Sequence, residues 1–202
     1  MVGTRAEAQS THRTAHIETM PRLRLLLAIV PALLGSACAN DLLPRPQPGA
    51  YVFEVQYTNY AWGPTWQGVS VDANGDVWSF DASDVRNPQP ESDPITGVAL
   101  QAKYAHHRRL VAHVGAQELA LREAMIAAAA HGPLNAPVGG CADAGILKYR
   151  AFQYEAATDT YTPVLLHQQG DEARANSAPE AAQLTAWLRT FSDPLGSGNC
   201  EP

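Results

Sequence analysis

The stretch QGVSVDANGDVWSFD, residues 67–81, contains two alternating apolar runs around Asn74-Gly75 and predicts a β-hairpin. Both central positions of a type I′ turn need positive φ, which asparagine and glycine allow. A two-residue turn at this point puts the four large apolar side chains on one face, as two cross-strand pairs: Val71 with Trp78, and Val69 with Phe80. The chain is therefore expected to build its sheet from tight antiparallel hairpins.

The same turn has oxygen-bearing side chains at alternate positions, Asp72, Asn74 and Asp76, as a calcium loop does. An EF-hand loop also needs glycine at its sixth position and glutamate at its twelfth. Here Gly75 is fourth and Ser83 is twelfth. The pattern favours a hairpin turn, and we predict no metal ligands and no cofactor.

Two features precede the hairpin. Residues 50–59, AYVFEVQYTN, alternate in the period of two that is typical of a half-buried strand. The loop that follows contains three large aromatic residues around Gly63-Pro64: Tyr60, Trp62 and Trp66. Such rings can stack on sugar rings or peptide side chains, which makes these three residues possible ligand contacts. The favoured alternative is that the tryptophans cover the hydrophobic core.

Residues 98–131 are rich in alanine and leucine and predict helix, with Gly115 separating or kinking two segments and Gly132-Pro133 ending the second. The first half contains the basic cluster KYAHHRRLVAH, residues 103–113. On a helix its histidines, His106, His107 and His113, lack ligand partners three or four residues away. A solvated face that can also meet an anionic partner is favoured over a zinc site.

The last third predicts two strands, Ile146 to Glu155 and Tyr161 to His167, followed by a helix. Pro163 cannot donate to a sheet ladder, which suggests an edge position for its strand. Ser177 and Glu180 have the spacing of a capping box, and Pro179 falls in the first turn. A buried stripe is expected along the helix: Leu184, Trp187, Leu188 and Phe191.

The order strands, helices, strands, helix predicts an α+β fold in which an antiparallel sheet of hairpins packs against helices in a single domain. We place this domain at residues 51–202. Residues 40–50, NDLLPRPQPGA, contain three prolines and are expected to form an extended tether. Residues 1–39 are assigned to an N-terminal extension plus a signal peptide, with translation starting at Met1 or at Met20.

The prediction of a signal peptide depends on residues 22–41, RLRLLLAIVPALLGSACAND. Its apolar run is too short to cross a bilayer and has the length of a signal-peptide core, with arginines before it and small residues after it. The segment LLGSAC resembles the lipobox of bacterial exported lipoproteins. The resemblance implies that Cys38 is the acylated first residue of the mature protein, anchored in the membrane and facing the periplasm or exterior. Cleavage at Ala37-Cys38-Ala39, giving a secreted soluble protein, is the alternative.

Two cysteines remain after the leader, Cys141 and Cys200. An exported protein lies in a compartment that permits disulfides, so we predict that these two pair. Such a bridge ties the loop before the last hairpin to the end of the chain.

The full chain has a formal charge of -6, and removal of residues 1–39 takes away four arginines and two glutamates, leaving -8. Nucleic-acid binding needs a basic face and is not expected. The partners expected are the membrane, through the lipid anchor, and an envelope ligand or protein.

No nucleophile elbow, phosphate loop or dinucleotide fingerprint is present in the sequence. The favoured function is a cell-envelope binding or interaction module that uses the aromatic loop or the basic segment. One alternative is an extracytoplasmic hydrolase with a site around His167 and Asp171. Another is a purely structural envelope protein.

Overall fold

The computed structural model describes residues 51–85, 93–192 and 195. These residues belong to one compact unit, Asp41–Pro202. Within them lie nine strands: β1 (Tyr51–Asn59), β2 (Thr65–Asp72), β3 (Asp76–Asp81), β4 (Ile95–Thr96), β5 (Arg109–His113), β6 (Val138–Gly139), β7 (Ile146–Glu155), β8 (Thr160–Gly170) and β9 (Glu172–Ala175). Four helices accompany them: α1 (Gly97–Tyr104), α2 (Ala116–Glu123), α3 (Ile126–His131) and α4 (Pro179–Ser192).

The strands form one open sheet in the order β5-β3-β2-β1-β7-β8-β9-β6, and β4 pairs with the start of β8. Every pairing in the described residues is antiparallel. The predicted α+β fold with an antiparallel sheet against helices is thereby confirmed.

The β2–β3 hairpin exists, but its predicted register is wrong. The turn has three residues, and Val71 lies opposite Val77 rather than Trp78. Gly75 takes φ +86°, and its N–H donates to the Asp72 carbonyl at 2.9 Å, the geometry of a type I turn followed by a glycine bulge. Because the register moves by one residue, Trp78 and Phe80 lie on the sheet face opposite that of the valines.

Both faces of the sheet are covered. Val71 and Val77 join Phe53 and Val55 in a core against α2, α3 and α4, on what we call the first face. The second face packs against α1 through a smaller aromatic core: Tyr51, Phe80, Ile95, Leu100, Tyr104, Phe152 and Tyr161. The strand predicted for residues 50–59 is confirmed as β1. Its predicted half-burial is wrong, because β1 lies at the centre of the sheet and Glu54 on its second face is 0% exposed.

The long helical region predicted over residues 98–131 is interrupted by a strand. Helix α1 ends at Tyr104, His107 takes φ +44°, and the chain then pairs with β3 as the edge strand β5. Gly115 lies between β5 and α2 rather than between two helices, and α3 ends at Gly132 as expected. The pairing with β3 outweighs the helix propensity of the surrounding alanines, a local preference that tertiary contacts commonly override.

Strand β7 has the predicted bounds, and β8 contains the predicted Tyr161 to His167. β8 is not an edge strand over its whole length, since β7 pairs with it on one side and β4 and β9 pair with parts of its other side. On the other side, pairing stops between Tyr161, which faces β4, and His167, which faces β9. Pro163 lies in that gap, where its lack of an N–H breaks no ladder.

Helix α4 begins at Pro179, close to the predicted start, and buries Leu184, Trp187 and Leu188 against the first face. The predicted cap differs, because the Asn176 side chain, rather than Ser177, accepts from the Ala178 N–H at 3.0 Å. Asn176 also donates to the carbonyl of Ala129, so it joins the start of α4 to α3.

Several predictions lie outside the described residues. These are the leader, the lipid site at Cys38, the tether at residues 40–50 and the disulfide partner Cys200. Cys141 lies in an exposed turn before β7. In the part of the chain that the structure describes, no helix combines the length and apolar character needed to cross a membrane.

Candidate functional site

A buried ionic cluster occupies the second face of the sheet. Glu54 on β1 and Arg150 on β7 are register partners, and Arg150 Nη2 lies 2.5 Å from Glu54 Oε1. Lys103 Nζ from α1 lies 2.6 Å from the other carboxylate oxygen. The Tyr104 hydroxyl donates to that same oxygen. Three groups, one from β7 and two from α1, therefore meet at one buried carboxylate of β1.

The surroundings of this ionic cluster are aromatic. Lys103 Nζ lies 5.7 Å from the Trp66 ring centroid and 5.3 Å from that of Tyr104. Ser70, the register partner of Glu54 on β2, is fully buried, and its Oγ has no hydrogen-bond partner among the described residues. Burial of an ion pair costs desolvation energy that only close, well-hydrogen-bonded partners offset, and the Glu54 carboxylate has such partners from α1 and β7.

The aromatic loop, residues 60–64, presents its rings to solvent. Tyr60 is 59% exposed and Trp62 is 85% exposed. Trp66 instead packs against the aromatic core of the second face. The prediction that the tryptophans cover the core is thus confirmed for Trp66. It is wrong for Trp62, which lies in the connection between β1 and β2 and is exposed to solvent.

Hydrogen bonds hold the base of the aromatic loop. The Asn59 side chain accepts from the Ala61 N–H at 2.8 Å and donates to the Asp143 carbonyl at 3.0 Å. The Tyr57 hydroxyl donates to the Ala144 carbonyl at 3.1 Å. The aromatic loop is therefore joined to the turn at residues 141–145, and Trp62 projects from a fixed base.

A groove runs between α4 and the β5 edge on the first face, which we call the α4 groove. Its upper part has a volume of about 610 Å³ and is lined by side chains from β5, α2 and α4, among them His113, Glu118, Arg122, Trp187 and Thr190. Arg122 donates to Glu118 at 3.2 Å, with its guanidinium carbon 5.4 Å from the Trp187 ring centroid. The Thr190 hydroxyl donates to the Trp187 carbonyl at 2.6 Å. This part has an aromatic floor and a charged rim.

The lower part of the α4 groove has a volume of about 480 Å³, and Phe191 lines both parts. Its wall includes Arg109 and Val111 of β5 and Asp81 at the end of β3. Hydrogen bonds from the side chain and backbone of Ser83 lower the pKa of Asp81, which keeps that carboxyl ionised. The lower part therefore has an acidic group on β3 and a basic group on β5, which are neighbouring strands.

The residues of the predicted hydrolytic site are not joined by any contact among the described residues. His167 on β8 stacks near Tyr149, with ring centroids 6.0 Å apart. Asp171 accepts from the Gly145 N–H at 3.1 Å and fixes the turn before β7. Both residues have local structural contacts, and a hydrolytic role for them stays a hypothesis.

The histidines of the basic segment lie in two places. His106 and His107 lie 3.9 Å and 3.5 Å from the Asp84 carboxylate. His113 Nδ1 lies 2.8 Å from Oδ1 of Asp76, the first residue of β3. In the described ranges, no group of three or more acidic, histidine or cysteine side chains is placed to hold a metal ion.

Comparison with protein-family models, with curated proteins and with solved structures finds no match to this chain.

Sequence analysis missed the buried ionic cluster and the α4 groove. Glu54 was expected to face solvent, and its partner Arg150 lies 96 residues further along the chain. No local sequence pattern predicts the ion pair between Glu54 and Arg150, because the two side chains meet only when β1 and β7 are neighbours in the sheet. Arg109 and Val111 were expected on a helix, so their position at a sheet edge was also missed.

Proposed function

We propose that this chain is a cell-envelope binding module that holds its ligand through the aromatic loop. The observation that carries the proposal is the 85% exposure of Trp62 beside exposed Tyr60. Tryptophan and tyrosine are the residues most often found where a few side chains supply most of the binding energy. A fixed base reduces the ordering cost of binding, and the contacts of Asn59 with Ala61 and Asp143 supply such a base.

The position of the aromatic loop agrees with attachment at the N-terminal side. The chain enters the sheet at Tyr51 and reaches the loop only after β1. At roughly 3.3 Å per residue, β1 separates these two points by about 26 Å. A lipid on Cys38 and a tether joined to Tyr51 would place the anchor at one end of β1. The aromatic loop follows the other end of β1, away from the anchor.

The α4 groove supports binding rather than hydrolysis. The hydroxyl that lines its upper part, that of Thr190, donates its proton to a backbone carbonyl. A nucleophilic hydroxyl instead donates to a general base. Glu118 and Arg122 at the rim are paired with each other, and such polar groups beside an aromatic floor fit recognition of a polar ligand.

Photo-crosslinking in the native host tests the proposal. A benzoyl-phenylalanine in place of Trp62 should give a discrete adduct on irradiation, whereas the same replacement at Leu121, exposed on α2, should give none. Excess wild-type protein should compete for the adduct, and Trp62→Ala should compete about tenfold less well, as loss of one central aromatic contact implies. Sensitivity of the adduct to protease or to muramidase then identifies a protein or a cell-wall glycan.

Absence of an adduct at residue 62, or equal adducts at residues 62 and 121, would contradict the proposal. Competition by Trp62→Ala at the wild-type level would also contradict it.

A further inference from the structure

The outer edge of β5 has no partner strand among the described residues and lies apart from the aromatic loop in the sequence. β5 is the first strand in the sheet order and pairs only with β3 among the described strands. Alternate residues of an edge strand direct backbone N–H and C=O groups outward, where another extended chain can pair with them. Hydrogen bonds of this kind give affinity, and side-chain pockets beside the edge give specificity.

The side chains of β5 suit such a partner. Leu110 is 51% exposed and Val111 is 44% exposed, so the strand offers apolar contacts to an added chain. The register with β3 shifts between Val77 and Trp78, and Val111 is the residue left without a cross-strand partner. A bulge of this kind re-aims a side chain, and Val111 here lines the lower part of the α4 groove.

The α4 groove supplies the side-chain pocket. Arg109 and His107 line its lower part together with Val111 and with Phe191 of α4. A strand added at β5 would project every second side chain toward the first face, where this groove lies. Apolar side chains would meet Val111 and Phe191 there, and acidic side chains would meet Arg109 on the edge strand itself, whereas Asp81 belongs to β3, one strand further in.

Charge selects the kind of partner. Residues 103–113 are the densest basic segment of an acidic chain, and Arg109 is exposed and forms no ion pair with any described residue. Arg108, by contrast, stacks on Trp78 at 3.8 Å and faces Asp72. A second copy of the chain would bring another Arg109 to the same edge. Like charges directly opposite each other destabilise a strand pair, whereas opposite charges stabilise it.

We propose that the outer edge of β5, with Arg109 and the lower part of the α4 groove, binds an extended acidic peptide segment of a partner protein by strand addition.

The test uses the full chain and two short capped peptides, one of alternating valine and glutamate and one of alternating valine and lysine. Fluorescence anisotropy should show that the glutamate peptide binds about tenfold more tightly or better. Arg109→Glu should reverse this preference, because the edge then presents an anion. The control is Arg189→Glu, an exposed position on α4 outside the groove lining, which should preserve the wild-type preference.

Amide hydrogen exchange with the glutamate peptide bound should slow in β5 and not in the aromatic loop, and Trp62→Ala should leave peptide affinity unchanged. Equal affinity for the two peptides, no effect of Arg109→Glu, or protection outside β5 would overturn the proposal. A dimer in sedimentation velocity that Arg109→Glu alters would overturn it in favour of a second copy at this edge. None of these results depends on the photo-crosslinking at residue 62.

Discussion

At the scale of single residues, the β2–β3 turn shows how one side chain sets a register. The Asp72 carboxylate accepts from the N–H groups of Asn74 and Asp76 at 3.0 Å and 3.1 Å. It also accepts from the Trp78 indole at 3.0 Å. These bonds favour a three-residue turn over the two-residue turn that Asn74-Gly75 suggests by itself. The aspartate pattern that resembled a calcium loop is used to close the turn.

Gly75 is the residue of this turn that tolerates substitution least. Its φ of +86° disfavours any side chain, and a Cβ at this position would lie 2.2 Å from the Val114 carbonyl oxygen. We expect Gly75→Ala to lower the free energy of unfolding by about 1–3 kcal/mol, measured by urea denaturation. Gly115→Ala is the control, because Gly115 has φ -63° and a Cβ at its position would have no atom within 4 Å. A loss at Gly115 equal to that at Gly75 would contradict the backbone argument.

His167 makes stability depend on pH. Burial, and secondarily the nearby Arg189 charge, lowers the pKa of His167 in the folded protein. The unfolded chain therefore takes up this proton first as the pH falls, so the contribution of neutral His167 is complete above about pH 6.5 and decreases below it. We expect the melting temperature to fall less between about pH 7.5 and pH 5.5 in His167→Gln than in the wild type. His131→Gln, on an exposed residue of α3, should retain the wild-type dependence.

At the scale of elements, the central strand β1 joins the two layers. Its first face packs Phe53 and Val55 under α4, and its second face holds Glu54 under α1. Local alternation of apolar and polar residues indicated only one of these layers. The second layer exists because Lys103 and Tyr104 at the end of α1 reach the carboxylate of Glu54.

Removal of the Glu54 charge should therefore weaken the contact between α1 and the sheet. We expect Glu54→Gln to cost about 3–5 kcal/mol in the free energy of unfolding, because two buried cations lose this carboxylate. Glu118→Gln removes a carboxylate from the exposed pair with Arg122 and should cost less than about 1 kcal/mol. Chemical denaturation of both variants makes the comparison. A loss for Glu54→Gln no larger than for Glu118→Gln would show that the ionic cluster adds little to stability.

At the scale of the whole molecule, the predicted leader gives an expectation about location. If Cys38 carries two or three acyl chains, each buried methylene adds about 0.8 kcal/mol, and the protein stays in the membrane fraction. We expect a mass spectrum of the native protein to show Cys38 as its first residue with acyl chains attached. Cys38→Ser should move the protein to the soluble fraction. A mature protein that begins after Ala39 would establish secretion instead.

The predicted disulfide belongs to the same scale, because it would join residues far apart in the chain. We expect Cys141 to be bonded to Cys200 in the exported protein, which non-reducing peptide mapping would detect. The loop between them is long, so Cys141→Ser should lower the free energy of unfolding by up to about 4 kcal/mol. Free thiols on both residues in the native protein would contradict the pairing.

By itself, the sequence determined the α+β class, the bounds of β7, the position of α4 and the existence of the β2–β3 hairpin. These features depend on contacts between residues close in the chain, such as alternation along a strand or proline at a helix start. Only the tertiary structure decided the hairpin register, the conversion of residues 109–113 to an edge strand and the burial of Glu54 against Arg150. Those depend on which strands become neighbours, because burial and pairing energies between distant segments exceed local preferences of about 1 kcal/mol per residue.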